Sequence, residues 1–218
     1  MRMMGMAMDG PWGARDVFFT FAMWAVMMVG MMSPSAAPVL MLFSGMHAGR
    51  SQRRVPVAVL LFGLGYLTVW LGFSACAALG QWGLHEAALL SPTMSVSSSQ
   101  LAGAILIAAG AYQLTPLKGG CLAQCQSPLG FLMSKWRDGA VGAFRMGLRH
   151  GLYCLGCCWA LMVVLLAVGV MNLVWVGALT VFVFIEKLGR GGVRVAQIAG
   201  VVFVAWGMVL LSRGMGAG

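Results

Sequence analysis

Along the 218 residues, apolar side chains run in long blocks rather than in the one-sided stripe of a soluble surface helix. Six blocks stand out, at about 17–45, 55–80, 98–117, 146–170, 172–188 and 194–212. Crossing a hydrocarbon core takes about 20 apolar residues of helix. Inside lipid the backbone must satisfy its own hydrogen bonds, and a single segment does so only as a helix. The pattern predicts an all-α fold, a polytopic transmembrane bundle of about six helices.

Proline, glycine and polar runs punctuate the blocks. Ser33-Pro34-Ser35-Ala36-Ala37-Pro38 interrupts the first. Each proline lacks an N–H and frees the carbonyl four residues earlier, here Gly30 and Pro34, so the first helix is expected to be broken at Pro34/Pro38. Pro56 suits the first turn of the second helix. A polar stretch from Ser91 to Gln100 precedes the third, and a basic connection of about 30 residues follows it, in which Gly119-Gly120 reads as loop punctuation. The turn at Met171-Asn172 is so short that the fourth and fifth helices are expected to be antiparallel neighbours. The chain thus divides into a Met-rich tail (1–16), a six-helix membrane domain (17–212) and a C-terminal tail (213–218). Arg2 before an apolar run resembles the start of a secretory signal. Asp9, Pro11 and Asp16 interrupt it, and the first block is expected to remain as a membrane segment.

Composition sharpens this picture: 61% of residues are hydrophobic and 9% charged, which excludes an ordinary soluble domain. The net charge of +9 points to loops facing anionic lipid rather than to nucleic acid. Arg50, Arg53, Arg54, Lys118, Lys135, Arg137, Arg145, Arg149, Lys187, Arg190 and Arg194 all fall on one predicted side. Arg2, Arg15 and Arg213 fall on the other. Cations concentrate on the cytoplasmic side, so both termini are expected outside.

Candidate chemistry lies in sulfur. Of six cysteines, Cys76 stands alone, and the simplest account of it is a small apolar residue in a helix. Cys121 and Cys125 lie in the basic connection; Cys154, Cys157 and Cys158 lie in the fourth block. On a helix, spacings of three and four residues bring side chains to one face. On the predicted cytoplasmic side, where thiols are kept reduced, such a cluster suits metal binding or transient redox chemistry better than structural disulfides. Burial as plain apolar residues is the competing account.

Methionine is the second anomaly, with 12 of 19 in the first 46 residues. Met3, Met4, Met6 and Met8 sit in a tail with no core to fill. Met23, Met27 and Met31 recur every four residues, with Met28 and Met32 beside them. Thioether is a soft ligand that selects Cu(I); equally, methionine fills irregular gaps in helix packing. His150 precedes the cysteines by one turn and is either an imidazole ligand or an interface residue. His47, near Met46, is a weaker candidate ligand, and His85 is expected in solvent. Lys187 is expected to snorkel toward the interface. Glu186 needs a partner, either Arg190 or a cation facing the bundle. No phosphate loop and no Ser-His-acid set is present, so no catalytic residue is assigned.

Gln113-Leu114-Thr115-Pro116-Leu117-Lys118 leads to Cys121 and Cys125. Gly147-Leu148-Arg149-His150-Gly151-Leu152-Tyr153-Cys154-Leu155-Gly156-Cys157-Cys158-Trp159-Ala160-Leu161-Met162 follows, then Gly169-Val170-Met171-Asn172-Leu173 and Glu186-Lys187. Together these resemble the bacterial family described as predicted metal-binding integral membrane proteins, some of whose members are described as copper chaperones. The resemblance covers most of residues 17–190. It implies copper handling in a bacterial inner (cytoplasmic) membrane, with Cys121, Cys125, Cys154, Cys157 and Cys158 matching the family's cysteines. The expected function is to bind Cu(I) through Cys and Met and hand it to a copper enzyme or a second metal carrier, alone or as an oligomer, by ligand exchange down an affinity gradient. The rivals are a membrane thiol–disulfide relay and a structural subunit of a membrane complex.

Overall fold

The computed structural model describes residues 12–48, 55–91, 95–189 and 191–215. In these, eight helices follow one another: α1 (Ala14–Ala48), α2 (Val55–Glu86), α3 (Ser99–Gln113), α4 (Pro116–Gln126), α5 (Pro128–Lys135), α6 (Ala140–Val168), α7 (Leu173–Leu188) and α8 (Gly192–Met215). Each of the six apolar blocks is a helix. By length and hydropathy α1, α2, α6 and α8 can each cross a membrane, and α3 with α4, bent by 64° between them, makes a fifth crossing if the pair is one span. The 16 residues of α7 rise only about 24 Å, short of a full crossing. The fold is an all-helical membrane bundle.

Two local expectations are corrected. The connection between the third and fourth blocks is not loop; it is α4 and α5, and Gly119 and Gly120 lie inside α4. Thr115 caps α4, accepting a hydrogen bond from the Lys118 amide, and Pro116 occupies the first turn. That is a strong start signal, and it outweighs two glycines. Nor is α1 broken at Pro34 and Pro38: it stays helical through both. Two other carbonyls near the prolines take side-chain donors. Ser33 Oγ donates to the Val29 carbonyl, and Ser35 Oγ and the Tyr66 hydroxyl of α2 both donate to that of Met32.

The closest packing is between α2 and α6 and between α3 and α8, where glycines let backbones touch. A Cβ added at Gly110 would stand 2.6 Å from the Gly200 carbonyl oxygen, and one at Gly103 2.8 Å from that of Gly207. Gly147 likewise lies against the backbone of Phe62. The neighbourhood expected for α6 and α7 exists but is minor. The main partners of α6 are α2, α3 and α4, and α7 spreads its contacts over α8, α1, α4 and α6. The largest core cluster lies where α1, α2, α6 and α7 converge, and it contains Trp24, Met32, Tyr66, Trp70 and the α6 cysteines.

Candidate metal centre

The centre is built around one turn of α6. Cys154, Cys157 and Cys158 are each 1% exposed. The thiols of Cys157 and Cys158 donate to the Cys154 carbonyl, at 3.1 and 2.9 Å. Helical spacing therefore gathers all three toward one side. Two further sulfurs arrive from other helices. Cys125 Sγ of α4 stands 3.9 Å from Cys157 Sγ, and Met32 Sδ of α1 stands 3.9 Å from Cys158 Sγ. Two sulfurs on one ion at about 2.3 Å each can be at most about 4.6 Å apart. Both separations are within reach of a shared ion.

The approach of α4 depends on the residues at its ends. Thr115 Oγ1 donates to the Tyr112 carbonyl, 2.7 Å, closing the bend from α3. Gly156, inside the Cys-Leu-Gly-Cys-Cys run, makes room for Cys121: a Cβ there would stand 2.8 Å from Cys121 Sγ. Lys118, buried near the start of α4, places Nζ 2.9 Å from both carboxylate oxygens of Glu186 on α7 and also donates to Gln113. Gln126, at the other end of α4, donates to the Glu186 carbonyl at 2.7 Å. The short helix carrying two of the cysteines is thus tied to α7 at both ends. The requirement that Glu186 be paired is met by a bundle-facing cation, Lys118.

Lys187 does not snorkel. It is 6% exposed, with Nζ 2.9 Å from Cys154 Sγ, 3.2 Å from Ser35 Oγ and 3.9 Å from Met32 Sδ. Consecutive helix residues point about 100° apart, so with Glu186 turned to α4 the next side chain turns to α1 and α6. The Tyr66 hydroxyl completes the group, 3.1 Å from Cys154 Sγ. Tyr66 and Ser35 have no sequence signal that tied them to the cysteines. For Lys187 the signal was a lysine closing an apolar helix beside a glutamate.

Other candidates lie farther out. His150 is buried among the rings of Phe62, Tyr66 and Phe131, and its Nδ1 has no hydrogen-bond partner. Met31 belongs to the same core cluster as the α6 cysteines, and Met23 and Met27 pack against that cluster half-buried. Cys76 lies in α2, exposed on its outside and apart from the other cysteines. His85 stacks on Trp12, ring centroids 4.5 Å apart, rather than standing free. Met3, Met4, Met6 and Met8 lie outside the described residues, as do Arg190 and the side chain of His47. Among the described residues no three of His, Cys, Asp and Glu already converge as a closed metal site; the sulfurs meet in pairs, with Met32 and Lys187 among them.

Neither curated proteins nor solved structures give a match to the chain. A family model does: the one described as copper chaperone, PpoB2, matches residues 21–210. With nearly the whole helical bundle inside that match, the chain belongs to the PpoB2 copper chaperone family.

Proposed function

We propose that this protein holds Cu(I) at the sulfurs of Cys125, Cys154, Cys157, Cys158 and Met32 and passes it by ligand exchange to a copper enzyme or a second carrier. The observation that carries the reading is the meeting of sulfurs from three helices inside a membrane bundle, at 3.9 Å from α4 to α6 and at 3.9 Å from α1 to α6. Thiolate and thioether are the ligand types that select Cu(I), and membership in a copper chaperone family supports copper as the cargo. Cys121, fitted against Gly156, extends the sulfur set along α4. Met23, Met27 and Met31 border the same core along α1, and the Met3–Met8 tail is assigned to capture of the ion outside the membrane. His150 is a reserve imidazole ligand one turn from Cys154. In this reading the protein sits in a bacterial cytoplasmic membrane with both termini outside, and copper enters from the tail.

Elemental analysis of the full chain in detergent tests this directly. The wild type is expected to retain copper through purification, and the Cys154→Ser/Cys157→Ser/Cys158→Ser variant to lose it. Equal copper in both, or none in the wild type, overturns the reading.

One observation favours a second reading. Cys125 and Cys157 are close enough for a small movement to join them, so a thiol–disulfide relay is available: the two thiols become a disulfide as a partner's disulfide is reduced to two thiols. Trapping a mixed disulfide between Cys125→Ser or Cys157→Ser and a partner favours the relay. A metal-loaded protein whose partner contacts leave no such adduct favours copper transfer.

A further inference from the structure

We infer that Lys187 fixes the charge of cation that the sulfur site accepts, making it a site for a monovalent soft ion in preference to a divalent one. The inference rests on the sulfur site being where metal is held. Its starting point is a buried ammonium whose closest partners are two sulfurs and a hydroxyl: Cys154 Sγ, Met32 Sδ and Ser35 Oγ. The carboxylate beside it in the chain is not free to balance it, because both oxygens of Glu186 are taken by Lys118. That pair closes on itself with no net charge. The remaining described acids stand at or beyond helix ends, about 20 Å or more along the helix axis from the site's residues: Asp16 binds the Gly13 amide at the start of α1, Glu86 ends α2, and Asp138, just before α6, accepts from Trp136.

An uncompensated charge in such surroundings is strongly disfavoured. The anions available to Lys187 are therefore cysteine thiolates, and the metal's ligands are the same groups. A monovalent ion on two thiolates, with Met32 as a neutral third donor, has a charge of −1, and the ammonium of Lys187 brings the site to zero. A divalent ion on the same ligands leaves the site at +1. To reach neutrality it must recruit a third thiolate, which has to be drawn from the Cys125–Cys157 pair. Without the ammonium the balance inverts: two thiolates neutralise a divalent ion and leave a monovalent one with an excess negative charge. Lys187 acts here through charge and need not touch the ion.

The test is a pair of competition titrations on the full chain in detergent, Cu(I) against a colorimetric Cu(I) chelator and Zn(II) against a Zn(II) chelator. Wild type, Lys187→Met and Lys187→Arg are compared. Lys187→Met is expected to bind Cu(I) about tenfold more weakly and Zn(II) about tenfold more tightly, opposite changes that together move the preference about a hundredfold. Lys187→Arg keeps the charge and is expected to keep the wild-type preference. Loss of packing alone weakens both metals together, so an unchanged ratio of the two affinities in Lys187→Met overturns the inference, whether the affinities stay put or fall in parallel. Lys187→Gln is read by the same criterion where Lys187→Met does not fold. A wild type that binds no Cu(I) removes the copper reading and this inference with it. A wild type that binds Cu(I) through its cysteines, with a preference indifferent to residue 187, removes this inference alone.

Discussion

Glu186 accepts Lys118 at 2.9 Å on both of its oxygens, and each residue is 1% exposed. Charges so placed are held by each other, and removing one strands the other. Glu186→Ala is expected to cost about 3–5 kcal/mol, and the apolar double replacement Lys118→Met/Glu186→Met to recover most of that. Thermal unfolding of the detergent-solubilised variants measures both. Equal losses in the single and the double variant would show that the pair is not what matters. At this scale the sequence was legible where chemistry repeats within one helix turn, as in Cys154, Cys157 and Cys158. It called for a cation opposite Glu186 but could not choose Lys118, 68 residues away. Lys187 was misread because snorkelling is the habit of an isolated helix end; here the end of α7 packs inside the bundle, and the side chain turns to α1 and α6.

Among the elements, α4 decides the shape of the centre. Its bend from α3, its Lys118 and Gln126 ties to α7 and the gap at Gly156 all bring Cys125 onto Cys157. Mild oxidation of the metal-free protein is expected to join these two cysteines, and peptide mapping by mass spectrometry identifies the linked pair. Gly156→Val pushes its side chain into Cys121 and is expected to lower the yield of that disulfide severalfold, with α6 still helical. An undiminished yield would mean that α4 does not rest on residue 156. The long helices α1, α2, α6 and α8 were readable from apolar block length because membrane thickness sets it, and α3 and α7 were readable as shorter apolar helices. The helix α4 was not: it is short, basic and glycine-containing, and what makes it a helix is the Thr115-Pro116 start followed by packing against α6 and α7. For α1, two prolines announced a break, yet the helix runs on from Ala14 to Ala48, packed along α2.

For the whole molecule, burial revises the charge asymmetry without reversing it. Lys118 and Lys187, counted among the eleven cations of one side, lie within the bundle; setting them aside leaves nine cations in the sequence for that side against three for the other. The orientation expected from the positive-inside tendency is unchanged. Reporter fusions at each end of the chain are expected to register an external location. Internal signals from both ends would reverse the proposed direction of copper movement and leave the helical bundle as it stands. Cys76 is an exposed cysteine on α2, while Cys121 and Cys125 are partly covered and the three of α6 are packed out of reach. The protein therefore carries its own internal standard for thiol chemistry. A water-soluble maleimide added to the protein in detergent is expected to reach Cys76 whether or not the centre is loaded, so that labelling measures how much chain is present, and any further thiol that reacts after metal is withdrawn counts the cysteines the metal had been shielding.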